Sequence, residues 1–303
     1  MNTASATGRP LLRANTAAEL RRQLGLYRAA GERIAFVPTM GALHAGHLAL
    51  VRRGRELAER VVASIFVNPA QFGPHEDFSR YPRPLERDCA LLEAEGCDLV
   101  FLPEVDELYP PGGATWVTVD GPSEGLEGDS RPGHFRGVAT VVAKLFHLVA
   151  PDLAIFGEKD AQQLAVIRRM VRDLCFPVEI VPHPIVREAD GLALSSRNVY
   201  LSPAQRREAL VLQASLRAAQ AAIAAGERRA EALLDLVRRV LTGPGEVDRE
   251  LDYVGLVDAD SFASLAVLDR RAVLPIVVRF GQTRLLDNLQ IDIGADGQPV
   301  GRL

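Results

Sequence analysis

A short apolar run, a turn rich in glycine and histidine, and an amphipathic helix follow one another early in the chain. Residues 34–37, Ile-Ala-Phe-Val, have the composition of a buried strand. From Leu48 to Val61, apolar residues recur at helical spacing between arginines and glutamates. A buried strand that passes through a tight turn into a helix is the building unit of parallel α/β sheets, so the sequence predicts that architecture.

The turn between them, Pro-Thr-Met-Gly-Ala-Leu-His-Ala-Gly-His at residues 38–47, has the composition of an anion site. Ligands of open α/β sheets bind beyond the carboxyl ends of strands, where the N–H groups of a helix start attract anions. Gly41 and Gly46 permit close approach of the backbone, and His44 and His47 are spaced so that both rings can face one pocket. Two imidazoles can donate hydrogen bonds to a polyphosphate. On spacing alone, the alternative that His44 caps the turn and His47 packs on the helix stays open.

Composition restricts the class of function. The 303 residues suffice for two domains, and 48% hydrophobic and 24% charged residues are typical of a soluble globular protein. A formal net charge of −4 provides no overall positive field for nucleic acid or an anionic membrane. Cys89, Cys97 and Cys175 form no CxxC pair, which argues against a disulfide framework or zinc site and fits a reducing cytoplasm. The small, polar N-terminal residues predict neither export nor membrane insertion.

A second strand is predicted at residues 61–67, and the amide-bearing residues Asn68 and Gln71 follow it. A neutral amide can donate to a carboxylate and accept from a hydroxyl, which suits a small hydroxy acid. An Asn-Pro turn with an exposed glutamine is the ordinary alternative.

A strand predicted at residues 153–156 is likewise followed by polar residues, in Gly157-Glu158-Lys159-Asp160. Lys159 is a compact cation suited to polyphosphate, and Asp160 can cap the following helix. Gln163 lies one turn into that helix and is expected to face the same pocket. A capped turn without a ligand accounts for this segment equally well.

Two polar loops complete the set of candidates. The glycine-rich loop at 121–137 contains Arg131, His134 and Arg136, and it is either a lid whose arginines meet phosphate on closing or a solvated surface loop. In Leu-Ser-Ser-Arg-Asn at 194–198, two hydroxyls and an arginine can hold phosphate oxygens, although a helix cap is the ordinary alternative.

The order of predicted elements changes near residue 200. Before it, strands and helices alternate, which predicts a parallel sheet with right-handed crossovers; after it, helices precede strands, as in a smaller α+β domain. Helices are predicted at 16–30, 84–96, 138–150, 203–225 and 229–241, and further strands at 98–102, 115–120, 178–181, 251–257, 272–280 and 283–286.

In combination, these motifs resemble those of the pantoate–β-alanine ligases. The matching segments are PTMGALHAGH at 38–47, FVNPAQF at 66–72, RPGHFRG at 131–137, FGEKD at 156–160 and LSSRN at 194–198. Each is short, but their order extends over nearly the whole chain. The HxGH turn also resembles that of the nucleotidyltransferase superfamily shared with class I aminoacyl-tRNA synthetases. The resemblance implies a Rossmann-like domain at 1–188 that binds ATP and pantoate, a smaller C-terminal lid domain at 189–303, and a homodimer.

The resemblance also implies a reaction. It is the condensation of (R)-pantoate with β-alanine through a pantoyl adenylate, with release of AMP and pyrophosphate and with Mg²⁺ accompanying ATP, in the route to coenzyme A. His47, His44 and Lys159 are the implied catalytic residues, and His47 matches the family's proton donor. The implied ATP contacts are Met40, Gly41, Ala42, Leu43, His44, Ala45, Gly46, His47, Gly157, Glu158, Lys159, Asp160, Val186, Leu194, Ser195, Ser196 and Arg197. The implied pantoate contacts are Gln71, Gln163 and Asn68, with Gln71 also near β-alanine.

This chain departs from the family pattern at two places. Leu194 stands where many members have methionine, and the similar volume of the two side chains should preserve packing against adenine. Around Asp88, where some relatives approach magnesium, the match is weaker, so no metal ligand is assigned.

Three other functions remain open from the motifs alone. An enzyme that transfers AMP to a phosphorylated acceptor would use the same HxGH turn, although residues 66–72 offer amides rather than extra cations. A tRNA-charging enzyme would need a basic face, which the composition does not indicate. A non-catalytic nucleotide-binding regulator is the third, because a fold does not determine a function.

Overall fold

Six parallel strands form the first sheet of this computed structural model, which describes residues 10–74, 76 and 78–303. They are Leu12–Ala14 (β1), Ile34–Thr39 (β2), Arg60–Ile65 (β3), Leu99–Phe101 (β4), Leu153–Gly157 (β5) and Glu179–His183 (β6). Their order is β1-β4-β3-β2-β5-β6, and every neighbouring pair is parallel. The predicted parallel sheet is therefore confirmed. The polar residues 1–9, which supported the expectation of no export signal, lie outside the described part of the chain.

Helices alternate with these strands as the sequence predicts. They are Ala17–Ala29 (α1), Ala45–Leu57 (α2), Leu85–Ala94 (α3), Val105–Leu108 (α4), Glu127–Ser130 (α5), His134–Val149 (α6) and Ala161–Asp173 (α7), with 3-10 turns at Pro69–Gln71 and Glu158–Asp160. Thr16 and Glu19 form a capping box at the start of α1, so local hydrogen bonds set this boundary.

The strand order has a switch point beside β2. From β2 the chain proceeds to β3 and β4 on one side, and β5 and β6 lie on the other side. At such a point the connections diverge and leave a crevice beyond the carboxyl ends of the strands. The turn after β2 is therefore located where an α/β sheet of this type offers room for a ligand.

By its internal contacts the chain divides into two compact units. The first comprises the described residues up to Val119 together with Arg131–Gly157 and Val166–His183. The second comprises Asp120–Ser130, Glu158–Ala165 and Pro184–Leu303. The assignment of an ATP- and pantoate-binding domain to 1–188 and a lid domain to 189–303 stays a prediction.

The second unit contains a smaller antiparallel sheet. Its elements are a 3-10 turn at Ser196–Tyr200, helices Pro203–Glu208 (α8), Leu210–Ala224 (α9) and Ala230–Leu241 (α10), and strands Glu250–Val254 (β7), Val257–Asp258 (β8), Ala272–Phe280 (β9), Thr283–Ile293 (β10) and Pro299–Arg302 (β11). The strands are ordered β11-β10-β9-β7, with β8 also paired to β9. Buried residues of α9 and α10, such as Leu216 and Leu233, pack with Leu274 and Leu289 of the sheet. The predicted smaller α+β region is confirmed.

Several predicted elements differ from the structure, and one of them is the strand predicted at 283–286, which continues to Ile293 as β10. Residues 115–120 form no strand, because the Val117 N–H donates to Thr140 Oγ1 of α6 rather than to a neighbouring strand. The helix predicted at 203–225 is interrupted at the fully buried Ala209. Helix α6 begins at His134, earlier than predicted, and so includes Gly137.

No helix in the described part of the chain is long and apolar enough to cross a membrane.

Candidate active site

The turn after β2 is shaped by backbone conformation and by one buried carboxylate. Gly41 and Ala42 have φ values of 81° and 51° in the left-handed region, and a Cβ on Gly41 would lie 2.9 Å from Ile65 Cγ2. Asp88, which is 1% exposed, accepts hydrogen bonds from the backbone N–H groups of Ala42 (2.7 Å) and Leu43 (2.9 Å). A carboxylate of α3 thus holds the turn in its strained conformation.

Asp88 positions the turn after β2, and the sequence motifs do not reveal this contact. The signal available is its spacing, since it lies four residues before Leu92 on the buried face of α3. An acidic residue at a buried helix position requires a hydrogen-bonding partner, and here the partner is the main chain of the turn.

The two histidines are fixed by reciprocal hydrogen bonds at the start of α2. His44 is the N-cap residue, and its Nδ1 accepts from the Gly46 N–H at 3.1 Å. His47 Nδ1 accepts from the His44 N–H at 3.4 Å, and the two ring centroids are 4.1 Å apart. A neutral imidazole accepts only through its unprotonated nitrogen, so both rings carry their proton on Nε2.

This arrangement confirms the alternative in which His44 caps the helix, and the phosphate site stays a prediction. His44 does cap the helix, and the Gly46 N–H, one of the donors expected for an anion, already binds an imidazole. The capping bonds leave each ring with an Nε2–H group, which is a hydrogen-bond donor. The same contacts that satisfy the backbone therefore favour the tautomer whose Nε2–H can donate to an anion.

The amide of Gln71 connects the end of β3 with the end of β2. Gln71 is 8% exposed; its Oε1 accepts from Asn68 Nδ2 at 3.0 Å, and its Nε2 lies 3.0 Å from Met40 Sδ. Two of the segments singled out in the sequence thus meet within the first unit.

Asn68 is fully engaged by protein groups. Its Nδ2 donates to Gln71 Oε1 and to the Gly137 carbonyl (3.1 Å), while its Oδ1 accepts from the Ala70 N–H (3.2 Å) and the Tyr109 hydroxyl (2.9 Å). Burial raises the pKa of Tyr109 to about 12, so this hydroxyl stays protonated near neutral pH. In this structure Asn68 positions Gln71, and its role as a pantoate contact stays a prediction.

Arg131 and His134 hold the main chain of Gln71. The Gln71 carbonyl accepts from His134 Nδ1 (2.9 Å) and from Arg131 Nη2 (3.2 Å). Because a carbonyl can only accept, His134 carries its proton on Nδ1, and its Nε2 faces Arg131 Nη1 at 3.2 Å. His134 therefore has the opposite tautomer to His44 and His47.

Arg131 also pairs with Glu76, since its Nε donates to Glu76 Oε1 at 2.9 Å. Burial raises the pKa of Glu76, but the hydrogen bond and charge of Arg131 outweigh that effect and bring it below the ordinary value. Arg136 lies 4.9 Å from the centre of the Trp116 ring. Both arginines thus bind groups of the first unit, and their role in a closing lid stays a prediction.

Gly137 allows α6 to pack directly on the 3-10 turn that carries Gln71. A Cβ at this position would lie 2.2 Å from the Ala70 carbonyl oxygen and 2.7 Å from Gln71 Cα. Only glycine fits this contact without movement of the backbone.

In the second unit, Lys159 lies in the 3-10 turn at Glu158–Asp160. The neighbouring Glu158 is 7% exposed, and both its carboxylate oxygens accept from Arg302, at 2.7 and 3.0 Å. The Lys159 ammonium is 4.0 Å from Asp160 Oδ2, and its side chain is 19% exposed. The ion pair of Glu158 with Arg302 therefore stabilises the turn, and Lys159 supplies its positive charge.

Gln163 is partly exposed, and its neighbour Gln162 has a structural role that the sequence did not suggest. Gln162 is 6% exposed, accepts from the Glu127 N–H, and donates to the carbonyls of Pro122, Glu124 and Gly125. It fixes the segment before α5.

Residues 186–194 form a hairpin in the second unit, which leads into a 3-10 turn. The Leu194 N–H donates to the Val186 carbonyl at 3.0 Å, and Arg187 pairs with Ala193 in an antiparallel bridge. Ser195 Oγ accepts from the Arg197 N–H at 3.2 Å and caps the 3-10 turn at Ser196–Tyr200. The cap expected as the alternative is thus present at Ser195.

Within the first unit, side-chain contacts join Met40 and Asn68 to Gln71, and reciprocal hydrogen bonds fix His44 and His47 at the start of α2. Glu158, Lys159, Asp160 and Gln163 belong to the second unit, together with Val186 and Leu194, Ser195, Ser196 and Arg197.

Comparison with known proteins identifies the family. The family model described as pantoate-beta-alanine ligase matches residues 13–290. The chain belongs to the pantoate–β-alanine ligase family.

Relatives in this family are similar along most of their length. A pantothenate synthetase of Acidobacterium capsulatum is 57% identical over 256 residues, which cover 84% of this chain and 85% of the relative. The crystal structure of pantothenate synthetase from Thermus thermophilus is 51% identical, with a TM-score of 0.86 over 92% of this chain and 99% of that chain.

A third family member was solved with ligands. The pantoate-beta-alanine ligase of Francisella tularensis, complexed with beta-gamma ATP and beta-alanine, is 30% identical, with a TM-score of 0.74 over 92% of this chain and 97% of that chain.

Proposed function

We propose that this chain condenses (R)-pantoate with β-alanine to form pantothenate, using ATP and passing through a pantoyl adenylate. The observation that carries the proposal is the arrangement at the ends of β2 and β3. There the buried Gln71 amide lies against Met40, in the same turn as the two Nε2–H imidazoles. A family whose members are named for this reaction supplies the substrate identity.

In the first half-reaction, a pantoate carboxylate oxygen attacks the α-phosphorus of ATP. The bond from that phosphorus to the bridging oxygen breaks, and pyrophosphate leaves with the negative charge. Stabilising the charge on the phosphate oxygens is the main catalytic task. We assign this task to the cations, hydroxyls and imidazoles of the candidate set, namely His44, His47, Lys159, Ser195, Ser196 and Arg197.

We assign pantoate binding to Gln71 and Gln163, with Asn68 alongside. An amide can donate to the carboxylate while it accepts from a hydroxyl, and a fixed orientation makes the attack effectively intramolecular. The four hydrogen bonds of Asn68 to protein groups support a share in orienting Gln71.

In the second half-reaction, the neutral amine of β-alanine attacks the acyl carbon of the adenylate. The bond between that carbon and the AMP oxygen breaks, AMP leaves, and the amine nitrogen loses a proton. No side chain has to act as a nucleophile in either step. Gln71 is the residue we place beside β-alanine, and His47 is the one we assign to proton donation.

We propose that Mg²⁺ enters with ATP. The described residues contain no group of three or more His, Cys, Asp or Glu side chains that could hold a metal ion. This fits Mg²⁺, which is commonly held by substrate phosphates, water and at most one or two carboxylates. We therefore assign it no protein ligand; when bound, it would neutralise the β- and γ-phosphates.

We also propose a homodimer that functions in the cytoplasm. Free thiols at Cys89, Cys97 and Cys175 are compatible with a reducing compartment. Light scattering of the purified protein at several concentrations tests the dimer, and a constant monomer mass contradicts it.

The test of function is ATP–pyrophosphate exchange with and without pantoate, before β-alanine is added. We expect exchange only with pantoate, and release of free AMP once β-alanine is supplied. Exchange without pantoate, or AMP retained in the product, contradicts the proposed reaction. A tRNA-charging enzyme would instead show salt-sensitive RNA binding.

Variants at two positions, His47 and Lys159, test the catalytic assignments. His47→Ala should lower the exchange rate on the order of a hundredfold or more, whereas His147→Ala, at an exposed position of α6, should leave it unchanged. Lys159→Ala should lower the exchange rate, and Lys159→Arg should not recover it, because a planar guanidinium does not replace a compact ammonium. Near-normal exchange by a folded His47→Ala or Lys159→Ala protein contradicts these roles.

A further inference from the structure

Strand β10 carries two adjacent polar residues in the interior of the second unit. Asp287 and Asn288 are each 1% exposed, although the flanking Leu285 and Leu289 belong to the hydrophobic core. Burial of a carboxylate and an amide is unfavourable unless hydrogen bonds compensate. The partners of these two residues therefore indicate what the strand holds in place.

Asn288 binds the main chain of the Lys159 turn. Its Nδ2 donates to the carbonyls of Glu158 and Lys159, both at 2.9 Å, and its Oδ1 accepts from Gln290 Nε2 at 2.8 Å. The two donor bonds restrict the peptide groups on both sides of the Lys159 Cα, and so they restrict the direction of its side chain.

Asp287 binds the hairpin that leads to the serine–arginine segment. Its two carboxylate oxygens accept from Arg187 at 2.7 and 2.9 Å, and Arg187 Nη1 also donates to the Gly191 carbonyl at 3.1 Å. Arg187 is bridged to Ala193, which directly precedes residues 194–197. Because the pair is bidentate, it fixes the orientation of the hairpin as well as its distance from β10.

The geometry of a strand explains how one dipeptide reaches both segments. Successive side chains of a strand point to opposite faces of the sheet. Asp287 therefore shares a face with the core residues Leu285 and Leu289, and Asn288 lies on the other face. A single strand therefore binds both segments through adjacent residues.

We propose that Asp287 and Asn288 are positioning residues for adenylate formation. They hold the Lys159 turn and the Ser195–Ser196–Arg197 segment in a fixed relation, so that both meet the same nucleotide. The inference rests on the proposed function, which identifies these two segments as phosphate contacts.

A double-mutant cycle on nucleotide affinity tests this role. The probe is an ATP analogue with a non-hydrolysable β,γ bridge, and its Kd is measured by calorimetry for the wild type, Asn288→Asp, Lys159→Ala and the double variant. Asn288→Asp keeps the shape of the side chain but places a carboxylate against two carbonyl oxygens. We expect it to weaken binding about tenfold in the wild type and less than about twofold in the Lys159→Ala background. Equal weakening in both backgrounds overturns the proposal.

The matched control is Gln205→Glu. Gln205 also donates from its side-chain amide to a main-chain carbonyl of the second unit, that of Phe280, at 3.2 Å. Thermal unfolding of Asn288→Asp and Gln205→Glu measures any general loss of stability. If Asn288→Asp does not fold, Asn288→Ala replaces it in the cycle. Weakening of the analogue by Gln205→Glu as large as by Asn288→Asp overturns the positioning role.

A second double-mutant cycle pairs Asp287→Asn with Arg197→Ala and tests the other half of the proposal. The effect of Asp287→Asn on analogue binding should disappear in an Arg197→Ala background, and additive effects contradict the proposal. Pantoate-dependent exchange by the wild type is measured in parallel. If the double-mutant cycles show coupling but the wild type shows no pantoate-dependent exchange, the positioning role is supported and the proposed reaction is refuted. If the wild type shows exchange but the cycles show no coupling, the proposed reaction is supported and the positioning role is refuted.

Discussion

The contact between α6 and the turn that carries Gln71 predicts a large effect of adding one methyl group at Gly137. In Gly137→Ala the new Cβ would lie 2.2 Å from the Ala70 carbonyl oxygen, whereas ordinary contact begins at 3.4 Å. The 3-10 turn must therefore move by about 1 Å, and a displacement of that size at a binding residue costs on the order of a hundredfold in rate. Overpacking should also lower the free energy of unfolding by about 1–3 kcal/mol.

The assay is kcat/KM for pantoate in ATP–pyrophosphate exchange, together with the free energy of unfolding from urea titration. Gly25→Ala is the matched control, because Gly25 also lies within a helix but a methyl group there would meet no described atom within 4 Å beyond its own helix. It should raise the free energy of unfolding by about 0.4–1 kcal/mol and leave exchange unchanged. A folded Gly137→Ala protein with wild-type kcat/KM for pantoate would refute the reasoning.

Three further predictions concern buried charges. Asp88→Ala leaves two backbone N–H groups of the HxGH turn without their acceptor, so the free energy of unfolding should fall by about 2–4 kcal/mol in urea titration, and exchange should be lost. The pKa of Glu76 lies below 4.5, so the stabilisation from its charge should be complete above that pH and disappear as the pH falls through the lower folded-state value. The difference in unfolding free energy between wild type and Glu76→Gln should therefore shrink as the pH falls below 4.5, and a constant difference contradicts the assignment. Arg284→Met removes an ion-pair partner from both the buried Glu127 and Asp252, and thermal unfolding should report a loss of about 3–5 kcal/mol.

The parallel sheet and its turns could be predicted because their signals are local. Buried strands read as continuous apolar runs, and the residues that follow β2, β3 and β5 are short motifs with a recognisable composition. The family resemblance used these same segments, and the match over residues 13–290 confirms it.

Strand β10 shows where local signals fail. The sequence predicts a strand that stops at residue 286, but the strand continues to Ile293. Asp287, Asn288 and Gln290 break the apolar pattern, and Asp287 and Asn288 find partners that are far away in the sequence. Asp88 escapes prediction for the same reason, since its partners lie 45 and 46 residues away. A pattern within a short window contains no information about such pairs.

The lysines give a further compositional signal. Lys144 and Lys159 are the lysines of this chain, and every other basic residue apart from histidine is arginine. Lys144 donates to the Leu108 carbonyl and lies 4.8 Å from the centre of the Tyr109 ring. In such a chain, Lys159 is a position where we expect an arginine substitution to lower the exchange rate.

The ion pair between Arg187 and Asp287 has a consequence for engineering. Replacing a buried ion pair by apolar residues of similar volume is often neutral or stabilising by about 1–4 kcal/mol. A redesign of this chain for heat tolerance would therefore favour methionine and leucine at these positions. We expect such a protein to unfold at a higher temperature but to have a lower turnover rate, so that heat tolerance and turnover favour different residues at this ion pair.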